Sequence, residues 1–142
     1  MRASFGIVCL LLLAVTSIPA CGRKADPQPA DLVRPRTIRT LAANFAPEGV
    51  RLTWGRPNEY VNGKRMDDLG GFLVFRGRPG EQAEELASVP VSDRERFQRE
   101  KRFEYLDQGA AKGESYYYRV VSFTTDGYYS EPSNQVSVRI AP

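Results

Sequence analysis

Apolar side chains recur at every second position through most of this chain, beginning at Thr37. In the clearest run, Val50, Leu52 and Trp54 alternate with polar or small residues. The same alternation occurs at Leu41, Ala43 and Phe45, at Phe103 and Tyr105, at Tyr116, Tyr118 and Val120, and at Val136, Val138 and Ile140. This period is typical of β-strands with one buried face, whereas the best helical segment, Glu81–Leu86, is only one short turn long. The sequence therefore predicts an all-β domain, arranged as an antiparallel β-sandwich.

The residue types present exclude most catalytic chemistry. The 142-residue sequence contains no histidine, so it has no imidazole base for a serine or cysteine nucleophile and no histidine-based zinc site. Its two cysteines cannot form a four-cysteine zinc site. No cofactor-binding motif and no glycine-rich phosphate loop is present. We therefore expect that the protein is not an enzyme and binds no metal and no cofactor.

The first twenty residues differ from the rest of the chain. Arg2 precedes an unbroken run of small and apolar residues at 5–15. As a helix this run would span only ~16 Å, well short of the ~30 Å hydrocarbon core of a membrane. Residues 1–20 are therefore predicted to be a signal peptide that is cleaved off, not a permanent membrane span.

The sequence Ile18-Pro19-Ala20-Cys21-Gly22 resembles the lipobox of bacterial lipoproteins, in which a cysteine follows an aliphatic residue and two mostly small ones. The resemblance implies that Cys21 carries a covalent lipid with acyl chains such as palmitate and becomes the first residue of the mature chain. Two or more acyl chains anchor a protein stably in a membrane. By the family's sorting tendency, Gly22 implies the outer membrane facing the periplasm, with the cell surface as the alternative. A chance cysteine after an ordinary signal peptide is the competing interpretation.

Residues 21–36 are predicted to form a tether between the lipid and the domain. Pro27, Pro29 and Pro35 favour extended backbone and interrupt helices. At ~3.1 Å per residue this segment could hold a domain up to ~45 Å from a bilayer. The whole chain has a formal net charge of +3, but residues 37–142 contain 15 basic and 15 acidic side chains. The excess of the mature chain therefore lies in the tether, where it would attract anionic headgroups, and we expect no nucleic-acid partner.

Five motifs occur along residues 37–142 in a recognisable order. They are Val50-Arg51-Leu52-Thr53-Trp54, Leu69-Gly70-Gly71-Phe72-Leu73-Val74-Phe75-Arg76, Phe103-Glu104-Tyr105-Leu106-Asp107, Gly113-Glu114-Ser115-Tyr116-Tyr117-Tyr118-Arg119-Val120 and Ser130-Glu131-Pro132-Ser133-Asn134. Together they resemble a fibronectin type III domain of the bacterial sort. The resemblance implies a seven-stranded antiparallel β-sandwich of the immunoglobulin-like type, with Trp54 in the core. It also implies that Tyr116 is a structural residue, the tyrosine corner, whose hydroxyl bonds to the preceding loop.

The strongest candidate binding surface follows from the alternation on two of the predicted strands. If the core-facing residues point inward, their neighbours point outward, and we call this outward set the outer face. It consists of Leu73, Phe75, Tyr117, Arg119, Val121 and Phe123. Large exposed apolar patches mark interaction sites, and Tyr and Arg are enriched at binding hot spots. We expect this face to bind another cell-envelope protein, with cell-wall carbohydrate as the alternative. In the non-functional interpretation, long basic side chains or the loop before Leu69 cover the face.

Two charged segments allow weaker functional interpretations. Asp67 and Asp68 could bind calcium, but they lack the spacing of a calcium loop, and a tight turn at Asn62-Gly63 is the simpler interpretation. The basic residues of the second segment are Arg94, Arg96, Arg99, Lys101 and Arg102. They could contact an acidic partner, whereas a solvated loop and edge strand is the simpler prediction.

Overall fold

Seven β-strands make up most of the regular structure in a computed structural model, which describes residues 29–142. The strands are β1 (Ala42–Ala46), β2 (Gly49–Gly55), β3 (Leu69–Gly77), β4 (Glu84–Pro90), β5 (Arg102–Asp107), β6 (Ser115–Thr124) and β7 (Val136–Arg139). A 3-10 turn at Ala30–Leu32 and one short helix, α1 (Asp93–Gln98), are the other elements of this part of the chain. The predicted signal peptide, Cys21 and the first part of the tether lie outside the described residues. Between residues 29 and 142 no helix is long and apolar enough to span a membrane.

The strands form two antiparallel sheets, one in the order β1-β2-β5 and the other in the order β4-β3-β6-β7. This arrangement confirms the predicted seven-stranded sandwich. In the smaller sheet Trp54 of β2 pairs with Phe103 of β5. In the larger sheet Val74 of β3 pairs with Val120 of β6. The two longest strands therefore lie at the centre of the four-stranded sheet.

The alternating residues of the two sheets meet in a common core. On β2, Val50, Leu52 and Trp54 are buried, while the residues between them are partly exposed. Trp54 is 2% exposed, and its ring meets that of Phe72 edge-on, with 5.3 Å between the centroids. Phe72 in turn lies 4.7 Å from Phe103. Such tilted and edge-on pairs add to the free energy gained from burial, so this aromatic cluster joins the two sheets near the end of β2 and the start of β5.

Two elements differ from the sequence prediction. The best helical segment of the sequence leads instead into β4, an edge strand whose residues show no strict alternation of burial. The helix occurs at α1, where Ser92 and Glu95 form a capping box: the Glu95 N–H donates to Ser92 Oγ (3.3 Å) and the Ser92 N–H to Glu95 Oε2 (2.8 Å). The predicted basic stretch therefore begins on a helix and reaches β5 at Arg102.

The described chain enters the sandwich at one end, which we call the entry pole, and leaves it at the other. The segments that meet at the entry pole are residues 29–41, 56–68, 91–101 and 125–135. The 56–68 loop joins its neighbours, because Pro35 forms a β-bridge with Tyr60 and the Thr125 N–H donates to the Asp68 carbonyl oxygen (2.8 Å). The opposite pole consists of the turns at 47–48, 78–83 and 108–114 and the last residues of the chain.

The last part of the predicted tether packs against the domain. Pro35 is buried, and Arg34 forms an ion pair with Glu131. Residues 30–36 are therefore held by the sandwich, although the sequence pattern places the start of the domain at Thr37. The part of the tether between Cys21 and the packed residues is therefore shorter than the sequence pattern predicts.

Replacing Trp54 with alanine should lower the free energy of unfolding by about 3–5 kcal/mol, because it empties the space between the sheets. Denaturant unfolding followed by circular dichroism measures the change. Thr53→Val, on the other face of the same strand, is the control and should change the stability by less than about 0.5 kcal/mol. A Trp54→Ala variant as stable as this control would contradict the position assigned to the tryptophan.

Candidate functional site

The six residues of the outer face lie on β3 and β6, on the side away from the core. Two cross-strand pairs organise the face, Leu73 with Val121 and Phe75 with Arg119. Arg119 is exposed and Val121 is 9% exposed, while the other four residues are half-buried. The apolar side chains shield one another, so the outer face is a packed layer with a partly accessible surface.

Two aromatic rings of the outer face lie against glycines. A Cβ atom on Gly71 would lie 2.6 Å from the ring of Phe123, and one on Gly77 would lie 2.5 Å from the ring of Tyr117. A glycine within a strand allows this kind of close approach. The Tyr117 hydroxyl also donates to the Glu81 carbonyl oxygen (2.6 Å). Both rings are therefore held across β3.

Polar side chains flank the apolar centre of the outer face. The Arg119 guanidinium lies 5.7 Å from the ring centroid of Tyr117 and donates to Gln135 Oε1 (2.8 Å). Glu85 of β4 and Ser137 of β7 stand on the two edge strands of the same sheet. An apolar centre with a polar rim is the usual anatomy of a protein–protein interface.

The outer face continues toward the entry pole through the loop that follows β6. Phe123 and Tyr129 form a β-bridge, and their ring centroids are 5.8 Å apart. Tyr128 and Tyr129 are both exposed. The aromatic surface therefore extends beyond the six residues predicted from the alternation.

A buried carboxylate, Asp107, binds groups of both sheets, and sequence reasoning did not single it out. It ends β5 in the smaller sheet and is 2% exposed. Arg76 Nη1, from β3 of the larger sheet, donates to both of its carboxylate oxygens (3.1 and 2.9 Å). The Tyr118 hydroxyl of β6 donates to Oδ2 (2.7 Å), and the Gly109 N–H donates to Oδ1 (2.9 Å). The charge of this carboxylate is thus compensated from β3, β6 and the following turn.

These contacts shift the pKa of both side chains that reach Asp107. Burial and the hydrogen bond to Asp107 raise the pKa of Tyr118. Burial is the largest single effect and lowers the pKa of Arg76, but the hydrogen bond to Asp107, the charge of Asp107 and the two nearby tyrosines together outweigh it, so the net shift is upward. Because Asp107 is enclosed and fully hydrogen-bonded, it acts as a link between the sheets. The only signal in the sequence was an aspartate that follows an alternating apolar strand.

A cavity of about 330 Å³ opens at the opposite pole, beside the turn between β3 and β4. Its lining consists of Arg76, Gly77, Arg78, Glu81, Gln82, Glu84, Glu85, Leu86 and Tyr116. The buried Tyr116 at its base accepts a hydrogen bond from the Ala111 N–H (3.2 Å) through its hydroxyl oxygen. Charges of both signs line the cavity without converging on one point.

The two aspartates considered for calcium bind side chains of the protein. Asp67 Oδ1 accepts hydrogen bonds from Arg65 and Arg99, each at 3.2 Å. Asp68 Oδ1 accepts one from the Tyr60 hydroxyl (2.6 Å), and burial together with this bond raises the pKa of the tyrosine. Within residues 29–142 no cluster of three or more metal-ligating side chains is present.

Solved structures share this architecture. An Fn3-like protein from Clostridium thermocellum matches with a TM-score of 0.54 and 21% identity, over 76% of this chain and 95% of its own. The sixth fibronectin type III domain of human fibronectin type III domain containing protein 3 matches with a TM-score of 0.53 and 15% identity, over 76% and 87% of the two chains. The fold is fibronectin type III-like.

The same fold also occurs within a larger enzyme. A β-1,2-glucanase from Parabacteroides distasonis matches with a TM-score of 0.52 and 19% identity over 75% of this chain, which spans 13% of the glucanase. No protein-family model and no curated protein matches the sequence. The likeness at these identities concerns the fold, which hosts many functions.

The free energy of unfolding should fall as the pH rises above about 10, where an unfolded tyrosine ionises. Tyr118 stays protonated in the folded state because its pKa is raised, so the unfolded chain then holds fewer protons and becomes favoured. Urea unfolding at about pH 8 and about pH 11 measures the slope. Tyr118→Phe should reduce this dependence of the unfolding free energy on pH, and Tyr105→Phe is the control. Equal slopes in wild type and Tyr118→Phe would show that Tyr118 ionises equally in the folded and unfolded states.

Proposed function

We propose that this chain is a lipid-anchored protein of the bacterial cell envelope, whose fibronectin type III-like domain binds another envelope protein and catalyses no reaction. The observation that carries the binding role is the outer face. The solvent side of an antiparallel sheet is usually polar, whereas this side presents an apolar and aromatic centre. A non-catalytic role agrees with the lack of histidine and with the enclosure of Asp107.

The lipid anchor rests on the residues at 18–22. An aliphatic residue, two mostly small residues and a cysteine stand directly after the apolar run. The chain has only one other cysteine, Cys9, which lies inside the predicted signal peptide. In a processed chain Cys21 would therefore be the single cysteine, attached to lipid. With Gly22 after it, the proposed location is the outer membrane facing the periplasm.

Cys21→Ala should release the protein from the membrane, because the acyl chains supply the stable attachment. Fractionation of cells together with labelling by a radioactive fatty acid measures both effects. Cys9→Ala is the matched control and should leave the attachment and the label unchanged. A Cys21→Ala protein that stays in the membrane fraction and keeps its label would refute the anchor.

The partner should be reached through Arg119, because it is the exposed residue of the outer face and lies over Tyr117. Arginine and tyrosine are among the residue types that most often contribute large binding energies. The half-buried aromatic rings around them are already ordered, so little side-chain entropy is lost on binding. A preformed surface of this kind fits a folded protein.

A photoreactive amino acid in place of Arg119 should crosslink one envelope protein in intact cells, because that side chain projects from the outer face. The same probe in place of Arg102, an exposed residue of β5 in the other sheet, is the control and should give no such product. Mass spectrometry of the crosslinked bands identifies the partner. The same products from both positions, or none from either, would contradict binding through the outer face.

Carbohydrate binding is the second candidate, favoured by the aromatic rings of Phe123 and Tyr117, which lie against Gly71 and Gly77, and by the similar domain within a glucanase. Cell-wall glycan fragments stacked on these rings would change the tyrosine fluorescence of the purified protein. Saturable quenching by the fragments, without a crosslinked protein in cells, would favour this candidate over the first.

A further inference from the structure

Exposed apolar side chains are concentrated at the entry pole. Among residues 29–142, six large hydrophobic side chains are exposed, and five of them belong to the segments that form this pole. The five are Leu32, Val61, Phe97, Tyr128 and Tyr129, and they are between 38% and 83% exposed. The sixth, Phe45, lies near the end of β1 beside the turn at 47–48, and within the described chain it is the one such side chain at the opposite pole. The two ends of the sandwich therefore differ in the surface that they present.

The segments that carry these side chains are fastened to one another. The Asn62 N–H donates to the Leu32 carbonyl oxygen (3.3 Å), so the entering chain is held beside the tip of the 56–68 loop. The Thr125 bond to the same loop holds the segment that carries the two tyrosines. The end of α1 reaches the loop through the Arg99–Asp67 pair (3.2 Å). The apolar side chains therefore project from one fixed platform.

The covalent chain keeps this platform close to the proposed anchor. Seven residues, 22–28, separate Cys21 from Pro29, where the described structure begins. Even a fully extended chain of this length spans at most about 29 Å. Since the chain enters the sandwich at the entry pole, that pole is the end of the domain nearest to the lipid.

The charge of the connecting segment favours an anionic membrane surface. Residues 22–41 contain five basic and two acidic side chains, a net charge of +3, which the ion pairs of Arg34 with Glu131 and of Arg36 with Glu59 lower to +1. Basic residues next to a membrane are attracted to anionic headgroups, and tyrosines are enriched at the level of the headgroups. We infer that the entry pole rests on the bilayer surface, with its exposed apolar side chains among the lipid headgroups. This inference rests on the proposed anchor at Cys21.

Fluorescent labels at the two poles test this orientation in the processed, lipidated protein. Because Cys21 is acylated and Cys9 is removed with the signal peptide, an introduced cysteine is the single free thiol. Val61→Cys and Phe97→Cys place the label at the entry pole, and Gln82→Cys and Lys112→Cys place it at the opposite pole. The proteins are reconstituted in vesicles of phosphatidylethanolamine and phosphatidylglycerol that contain a lipid with a nitroxide quencher in its headgroup.

Labels at the entry pole should be quenched several-fold more strongly than labels at the opposite pole. A further substitution, Tyr129→Ser, should weaken the quenching at position 61 while the thermal melt stays near that of wild type, since this side chain is exposed. Equal quenching at both poles, in protein that sediments with the vesicles, would overturn the orientation and leave the anchor intact. Protein that fails to sediment would overturn both. If the difference in quenching disappears when a purified envelope protein is added, the entry pole binds that protein and not the bilayer.

Discussion

The two sheets of the sandwich are linked by a buried charge, the carboxylate of Asp107. Asp107 ends a strand of the smaller sheet, and its carboxylate is bound by Arg76 and Tyr118 from the larger one. A buried carboxylate is tolerated only when its hydrogen-bonding capacity is filled. The aromatic cluster around Trp54 also holds the sheets together, but hydrophobic contact does not depend on the relative orientation of the groups. The aspartate, by contrast, fixes which residues of the two sheets stand opposite each other.

Six of the seven strands could be predicted from the sequence, because apolar residues alternate or cluster in them, and these include the edge strands β1 and β7. β4 could not, because its residues Glu84–Pro90 show no such alternation. α1 was not predicted, because its six residues are too few for a helical period and its Ser92–Glu95 capping box was not singled out. The outer-face residues were placed on the right strands, but their partial burial depends on Gly71 and Gly77 in a neighbouring strand, which no local pattern reveals.

The packing of residues 30–36 also escapes sequence reasoning. Proline-containing segments look like linkers, since they carry no period that indicates a buried side. Here Pro35 is buried against the 56–68 loop, and Arg34 pairs with Glu131, far away along the chain. Contacts of this kind come from the tertiary structure alone. Together with the outer face, they give the domain two distinct surfaces, a side formed by the larger sheet and an end formed by loops.

The entering chain is also clamped where it reaches the sheets. The side-chain amide of Asn134 accepts a hydrogen bond from the Leu41 N–H (3.1 Å) and donates one to the Leu41 carbonyl oxygen (2.9 Å). At the far end, the Ile140 N–H donates to the Glu114 carbonyl oxygen (2.9 Å). Tension applied between the two ends of the domain would therefore act along its length. The pairing of residues 34–36 with the 56–68 loop and then the two Asn134 hydrogen bonds are the first contacts along the chain to bear that load, ahead of the strand pairs of β1.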